Sequence, residues 1–168
     1  MSDEHFYLRS FPDPVLKQPT VPVEPDTDIH KLVRAMKRIL AEQRGLGLAA
    51  QQAGSLHRVA ILTLAGQQTV AINLEIVERS KMTVLSAHEG CLSVRINGKL
   101  FRMNVRRSRQ VVARWLDENR QEHTRRLGGL DAIVAQHESE HLDGRCIVDR
   151  LDPRQLEREG LIPKGVAA

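Results

Sequence analysis

Residues 128–144, "GGLDAIVAQHESEHLDG", constrain the fold more than any other stretch of this chain. Leu130, Ile133, Val134, His137 and His141 recur at the spacing of one helical face. The apolar part of that face would draw the helix into a core, and both histidines would be drawn in with it. The pattern therefore predicts a buried helix that begins after the glycines and ends at Gly144.

The two histidines stand four residues apart, a turn of about 400° on a helix, so their rings project side by side. They can then bind one cation. Glu138 lies one step round the helix, near enough to reach a metal-bound water without binding the metal. This is the H-E-x-x-H arrangement of metal hydrolases. A histidine on such a face is more often a hydrogen-bonded core residue, so the pair alone leaves both interpretations open.

A catalytic metal site needs a third protein ligand and an open fourth position. The candidates are the two cysteines and the histidines at positions 5, 30, 57, 88 and 123. We expect His5 in an N-terminal tail and His30 on the polar side of a helix. Cys146 follows the predicted helix, where a buried cysteine is more often core filler. Cys91 is favoured, because Gly90 beside it allows a close backbone approach, although a small buried residue in a turn is the alternative.

The composition predicts one domain over residues 1–168, with 41% hydrophobic and 27% charged residues. A net charge of +4 and only one Trp, one Tyr and three Phe argue against DNA binding. Two cysteines are too few for a disulfide framework. The start "MSDEHFYLRS" does not resemble a signal peptide, and no apolar run is long enough to span a membrane. We therefore expect a cytoplasmic protein with no membrane partner.

The first quarter of the chain predicts an extended segment and then a helix. Residues 11–26 hold five of the seven prolines, so they are expected to wrap the surface in extended form. A helix follows, which Thr27 or Asp28 can cap and Gly45 can end. Its apolar stripe consists of Ile29, Leu32, Val33, Met36, Ile39 and Leu40.

The period then changes to that of strands. "HRVAILTL", "TVAINLEIVE" and "MTVLSA" are predicted strands, and "QVVARWLD" and "EHTRRL" bracket "ENRQ" as a hairpin. "DPRQLEREG" predicts a short final helix. The order indicates an α+β fold with antiparallel sheet packed around the second helix.

Three segments, GLGLAAQQ (45–52), EGCLS (89–93) and QHESEHLDG (136–144), resemble the three motifs of peptide deformylase in identity, order and spacing. The resemblance covers nearly the whole chain. It implies antiparallel β-sheets packed around a central helix that carries H-E-x-x-H, with an N-terminal amphipathic helix. It also implies removal of the formyl group from N-formylmethionyl nascent peptides, which releases formate.

The resemblance also implies the metal site. Cys91, His137 and His141 would bind the cation, and Glu138 would be the general acid and base. The family's metal is Fe²⁺, readily replaced by Zn²⁺, Ni²⁺ or Co²⁺. A thiolate ligand suits these ions better than it suits Mg²⁺, and a cation so bound lowers the pKa of its water.

Further roles follow from the same resemblance. Gln52 and the backbone N–H of Leu92 would stabilise the oxyanion, and losing one such donor typically costs about 3–4 kcal/mol. The two glycines of the substrate site would pair with an extended substrate backbone, and its apolar residues would hold a methionine-like side chain. The members of that site are Leu46, Gly47, Gly90, Leu130, Ile133 and Val134.

Several positions depart from the family pattern. Glu140 replaces the usual aspartate, and we hypothesise that Arg107 is its partner, since changes behind the ligands can cost about 10–100-fold in activity or metal affinity. Arg95, Leu74 and Asp131 also depart, and we expect them to shape the rim of the cleft.

The tail is a further departure, because residues 152–160 carry mixed charges and Pro163 prevents a longer helix. We therefore expect at most a transient ribosome contact.

Three alternatives stay open. One is a specialised deformylase or formamide hydrolase with a different substrate, which Arg95 and the short tail motivate. Another is a metal-stabilised binding module without catalysis, against which the retained Glu138 and Gln52 argue. An endopeptidase is the weakest, since a cysteine ligand upstream of H-E-x-x-H is unusual in that group.

Overall fold

A computed structural model of the chain describes residues 6–165. His5, which we expected in an N-terminal tail, lies outside them. The helices are α1 His30–Gln43, α2 Gly129–Leu142 and α3 Pro153–Arg158. The strands are β1 Gly47–Ala49, β2 Val59–Leu64, β3 Gln67–Arg79, β4 Thr83–Ile96, β5 Lys99–Ser108, β6 Gln110–Leu116 and β7 Glu122–Gly128. The predicted hairpin and the short final helix are both present.

The strands form two antiparallel sheets. Five of them pair in the order β1-β2-β3-β6-β7, and β4 pairs with β5 in a separate two-stranded sheet. Helix α2 contacts strands of both sheets, while α1 packs against β1 and the 3₁₀ turn Ala50–Ala53. The predicted α+β fold with antiparallel sheets around the second helix is confirmed. The separation into two sheets brings β4 to the same helix as the larger sheet.

Helix α1 carries the predicted apolar stripe, and all six of its residues are buried. Its ends differ from the prediction. The N-cap is Ile29, with no side-chain cap, although Asp28 accepts the His30 N–H at 2.9 Å. The last turn closes at Arg44, which adopts a left-handed conformation with φ 52°. Gly45 follows instead of ending the helix, and a Cβ there would lie only 2.7 Å from Leu92.

Helix α2 is buried on almost all sides and has no single apolar stripe. The buried set includes polar residues, namely Gln136, His137, Glu138, Ser139 and His141. Leu130 was predicted to face the core, but its side chain is 56% exposed. A helix enclosed by two sheets buries polar side chains only where they find partners or serve a site.

The proline-rich segment runs over the surface, as predicted, apart from one 3₁₀ turn at Pro14–Lys17 that buries Leu16. Val21 makes a parallel bridge to His57. Within residues 6–165, no helix is long and apolar enough to span a bilayer.

Candidate metal centre

Cys91 lies in the middle of β4, whereas the sequence suggested a turn or loop. The strand departs from regular pairing on both sides of it, with register shifts between Ser86 and Glu89 and between Gly90 and Arg95. Such irregularities aim side chains in directions that a regular strand does not offer. Cys91 is buried and points toward α2, where its Sγ lies 3.1 Å from Nε2 of His141.

His137 and His141 lie side by side on α2, with ring centroids 5.0 Å apart. Nδ1 of His137 is 2.7 Å from a carboxylate oxygen of Glu89, which leaves its Nε2 free for a cation. Burial acts to lower the pKa of His137, but the hydrogen bond to Glu89 and the negative charges of Glu138 and Glu89 together raise that pKa above its usual value. Burial holds the pKa of His141 well below its usual value, so this ring is neutral and ready to bind a metal.

The donor atoms of Cys91, His141 and Cys146 all lie within 4.8 Å of one another. A hydrogen bond with Cys146, and then burial, raises the pKa of the Cys91 thiol well above its usual value. Neutral imidazole and cysteine sulfur are the donors that Fe²⁺, Zn²⁺ and related ions prefer. Cys91 Sγ and His141 Nε2 already face each other, so these two residues fit such a cation. His137, the third predicted ligand, is not in this group of donors, but its ring lies beside that of His141.

Glu138 is buried beside this group. Burial raises the pKa of its carboxyl to about 7. Its Oε2 has no hydrogen-bond partner among the residues that the structure describes. The carboxylate rests against Gly47, where an added Cβ would lie 2.8 Å from Cδ of Glu138. A buried and unpartnered carboxylate with a pKa near neutrality suits proton transfer.

Gln52 is fixed at the end of β1, in the 3₁₀ turn Ala50–Ala53. Its side-chain oxygen accepts the Ala49 N–H at 2.9 Å. Its amide nitrogen donates to Ser93 Oγ at 3.0 Å and to Cys91 Sγ at 3.6 Å. Gln52, the predicted oxyanion donor, is therefore held beside the sulfur of Cys91.

A line of alternating charges supports the site from behind. Arg107 is buried and pairs with Glu89, and its Nη1 lies 2.7 Å from Oε1 of Glu140. The same Glu140 oxygen is 2.7 Å from Arg150. Burial would raise the pKa of Glu89, but its bonds to His137 and Arg107 lower it to about 2. Glu140 thus contacts Arg107, as hypothesised from the sequence, and it also holds Arg150.

A cleft of about 370 Å³ opens in front of these residues. Its polar lining includes Gln52, His137 and Glu138, and Leu92 also borders it. All six residues that the resemblance assigned to substrate binding line it, namely Leu46, Gly47, Gly90, Leu130, Ile133 and Val134. Leu130 is therefore exposed because its side chain lies at the mouth of this cleft rather than in the core.

The other departures lie elsewhere. Leu74 is fully buried in the core, and Asp131 accepts the Ala65 N–H at 3.1 Å. Neither lines the cleft, so the expectation that both shape its rim is wrong. Arg95 acts on the rim only indirectly, by donating to Gln43, which does line the cleft.

Two residues of the centre were not predicted as parts of it: Glu89 was not considered, and Cys146 was considered as a ligand but interpreted as core filler. Glu89 binds both His137 and Arg107, and its place inside EGCLS was the only available signal. Cys146 is buried, as expected for a core residue, but it also lies 4.0 Å from Cys91. Sequence alone does not show that residues 55 positions apart meet.

Imidazole and sulfur donors beside a buried carboxylate, with a cleft opening in front of them, are features of metallohydrolases. The family model described as polypeptide deformylase matches residues 7–157. A peptide deformylase of Alkalilimnicola ehrlichii is 35% identical over 153 residues, which cover 88% of this chain and 83% of that protein.

Solved structures agree. A peptide deformylase from Legionella pneumophila superimposes with a TM-score of 0.81 at 31% identity, covering 93% of this chain and 92% of the other. A class I type b peptide deformylase from Acinetobacter baumannii, solved with Met-Ala-Ser bound, gives a TM-score of 0.79 at 28% identity. That match covers 87% of this chain and 98% of the other. The chain belongs to the polypeptide deformylase family. It is a metalloenzyme that removes the N-formyl group from nascent peptides.

Proposed function

We propose that this enzyme hydrolyses N-formylmethionyl peptides with one cation bound by Cys91, His137 and His141 and with Glu138 as general acid and base. The observation that carries the proposal is the Glu138 carboxylate, which is buried at the inner end of the cleft with one oxygen unpartnered among residues 6–165. A purely structural metal site has no use for such a group.

The bound cation supplies Lewis acidity and makes a water nucleophilic near neutral pH. Glu138 takes the proton of the attacking water and delivers it to the amine that leaves. Its pKa of about 7 suits both halves of that task, because the group can accept and release a proton at neutral pH. The products are formate and a free amino terminus.

Gln52 and the Leu92 backbone N–H donate to the oxygen that becomes negative as the formyl carbon is attacked. Gln52 is held by Ala49 and Ser93, so its amide is oriented before the substrate binds. The amide of Gln52 also donates to Cys91 Sγ, so its donation to the oxyanion replaces this long hydrogen bond while Ser93 keeps the group in place.

Leu130, Ile133 and Val134 are suited to hold the methionine side chain, since they present apolar surface in the same cleft as Glu138. Gly47 and Gly90 leave room for the substrate backbone. The Met-Ala-Ser ligand of the Acinetobacter relative supports a methionyl peptide as the substrate here. The donor set suits Fe²⁺, Zn²⁺, Ni²⁺ and Co²⁺ alike, and the choice of Fe²⁺ among them rests on the resemblance to the family.

The chemistry also suggests the setting. We expect residues 1–168 to act as one domain in the cytoplasm, where N-formylated chains are made. The ribosome contact is expected to be transient, because α3 spans only Pro153–Arg158 and carries both signs of charge. We expect no DNA or membrane partner.

The decisive experiment measures formate release from formyl-Met-Ala-Ser by anaerobic, Fe²⁺-loaded protein. We expect turnover to fall by about 10²–10⁴-fold in Glu138→Gln while the metal content stays at one per chain. The control is Glu78→Gln, which changes an exposed glutamate on β3 in the same way and should leave turnover unchanged. Equal background activity in wild type and Glu138→Gln would refute the proposal.

Substrate preference is measured in the same assay. Formylated peptides that lack methionine, and formamides that are not peptides, should react far more slowly than formyl-Met-Ala-Ser. A preference for either of them over the methionyl peptide would favour the specialised hydrolase instead.

A further inference from the structure

The chain has two cysteines, and they meet at the metal centre. Cys91 comes from β4, and Cys146 lies four residues after the last residue of α2. Both are buried free cysteines, and their Sγ atoms are 4.0 Å apart. The proposed reaction uses only Cys91, so Cys146 is a nucleophilic group that the function does not explain.

Cys146 is held firmly in this position. Its backbone N–H donates to the Asp149 carboxylate at 2.8 Å, where the 3₁₀ turn Ile147–Arg150 begins. Its side chain packs in a small apolar cluster with Cys91, Val94 and Val105. The backbone of Cys146 is therefore held close to Cys91 in the core beneath the metal centre.

The separation suits a disulfide. An S–S bond is about 2.05 Å long, so the two sulfurs must approach each other by about 2 Å. Side-chain rotation of one or both cysteines supplies a movement of this size. The two free thiols are also the only ones in the chain, so neither has a competing partner within it.

A small oxidant can reach the pair through the substrate cleft. Gln52, whose amide nitrogen lies 3.6 Å from Cys91 Sγ, lines that cleft, so a single side chain separates the cleft from the sulfur. A hydroperoxide is close to water in size and can follow the path that water takes to the proposed reaction site.

We propose that Cys91 and Cys146 form a peroxide-sensitive thiol pair in which Cys146 is the resolving cysteine. The Cys91 sulfur attacks one oxygen of hydrogen peroxide, the O–O bond breaks, and a sulfenic acid and one water result. The Cys146 sulfur then attacks the Cys91 sulfur, the S–S bond forms, the S–O bond breaks and a second water leaves. The two thiols together lose two electrons and two protons, which reduce the peroxide to two waters.

The effect of this oxidation on activity rests on the proposed function, in which Cys91 is a metal ligand. The disulfide removes its sulfur from the ligand set, so oxidised protein loses metal and activity. Since a disulfide is reduced by thiols whereas sulfinic and sulfonic acids are not, Cys146 converts an irreversible lesion into a reversible one.

The test treats metal-loaded wild type and Cys146→Ser with hydrogen peroxide. Intact mass, free thiols and bound metal are measured, and activity is then measured after dithiothreitol and fresh Fe²⁺. Wild type should lose two hydrogens and both thiols within one chain, release its metal and recover its activity. Cys146→Ser should gain oxygen atoms and recover at least about tenfold less activity.

A second variant, Cys146→Val, keeps the site apolar in case serine disturbs the cluster, and it should behave as Cys146→Ser does. Wild type that gains oxygen without losing hydrogens would overturn the proposal. So would either variant if it recovered as well as wild type. The mass and thiol readouts do not depend on turnover, so failure here is distinct from failure of the proposed reaction, which untreated enzyme tests.

Discussion

Glu138 packs closely against Gly47, because the carboxylate occupies the space where a side chain at position 47 would begin. The glycine is thus required by the position of the glutamate, in addition to any contact with substrate. This contact leads to a prediction at the scale of single residues.

Gly47→Ala should lower kcat by about 10²-fold, since a catalytic group displaced by about 1 Å loses activity of that order. The control is Gly128→Ala, where the new Cβ would meet only Gln110 at 3.8 Å. Steady-state kinetics and bound metal should be measured for both. A Gly47→Ala enzyme as active as Gly128→Ala would show that Glu138 is not confined as described.

Glu140→Asp should also reduce function, because one Glu140 oxygen bonds Arg107 and Arg150 at 2.7 Å each. A side chain shorter by one methylene loses at least one of them, and we expect metal affinity or turnover to fall by about 10-fold. Glu159→Asp, the same change at an exposed residue after α3, should have no effect. Unchanged metal affinity and turnover in Glu140→Asp would show that these two bonds of Glu140 do not support the site.

At the scale of residues, the three motifs brought the predicted ligands and the six predicted substrate-binding residues to one region, whereas the predicted rim residues Leu74 and Asp131 lie elsewhere. The sequence did not show Glu89 or Cys146 as parts of the centre. Glu89 reaches His137 across 48 positions and Cys146 reaches Cys91 across 55. Contacts of this kind depend on how β4 packs against α2, which no local pattern encodes.

Strand β4 is the element on which the site depends. It carries Cys91 and also Glu89, whose carboxylate joins β4 to His137 of α2 and Arg107 of β5. Three elements therefore meet at one buried negative charge. Removing one partner of such an ion pair typically costs about 3–5 kcal/mol.

Glu89→Gln should accordingly lower the free energy of unfolding of the chelator-treated protein at pH 7. It should also make that free energy less dependent on pH. Bonds to His137 and Arg107 lower the pKa of Glu89 from the usual 4.5 to about 2, against the effect of burial. A lowered pKa contributes stability that is complete above pH 4.5 and is lost as the pH falls toward 2. Urea unfolding should show the difference between wild type and variant narrowing over that interval. A difference in unfolding free energy that stays constant over this pH range would contradict the lowered pKa of Glu89.

Among the elements, α1 was predictable because its apolar period is regular, and the β6–β7 hairpin because its turn is polar. Helix α2 was predicted from its flanking glycines and the spacing of its histidines, although it has no single apolar stripe. The β4–β5 pair was predicted only in part. Two register shifts interrupt the alternation of β4, and His88 within it has φ 55°. The irregularity that obscures the strand in the sequence is the one that directs Cys91 toward the helix.

At the scale of the whole molecule, the α+β class and the central helix followed from the sequence, but the division into two sheets did not. Cys91 lies on the two-stranded sheet, and the histidines lie on α2, which contacts strands of both sheets. The proposed cation would therefore join the smaller sheet to the central helix.

Removal of the metal should lower the melting temperature. A ligand at 100 times its Kd stabilises the folded state by about 2.7 kcal/mol, which corresponds to about 5–10 °C for a chain of this size. Calorimetry with and without a chelator measures the change. Glu138→Gln should show the same decrease, because Glu138 is not a ligand. Identical melting temperatures with and without metal would contradict a cation that joins β4 to α2.

X-ray absorption spectroscopy of the metal-loaded wild type tests the central claim most directly, because it counts the atoms bound to the cation. The account predicts one sulfur, from Cys91, and two imidazole nitrogens, from His137 and His141. A spectrum without sulfur, or one with a second sulfur from Cys146, would contradict it.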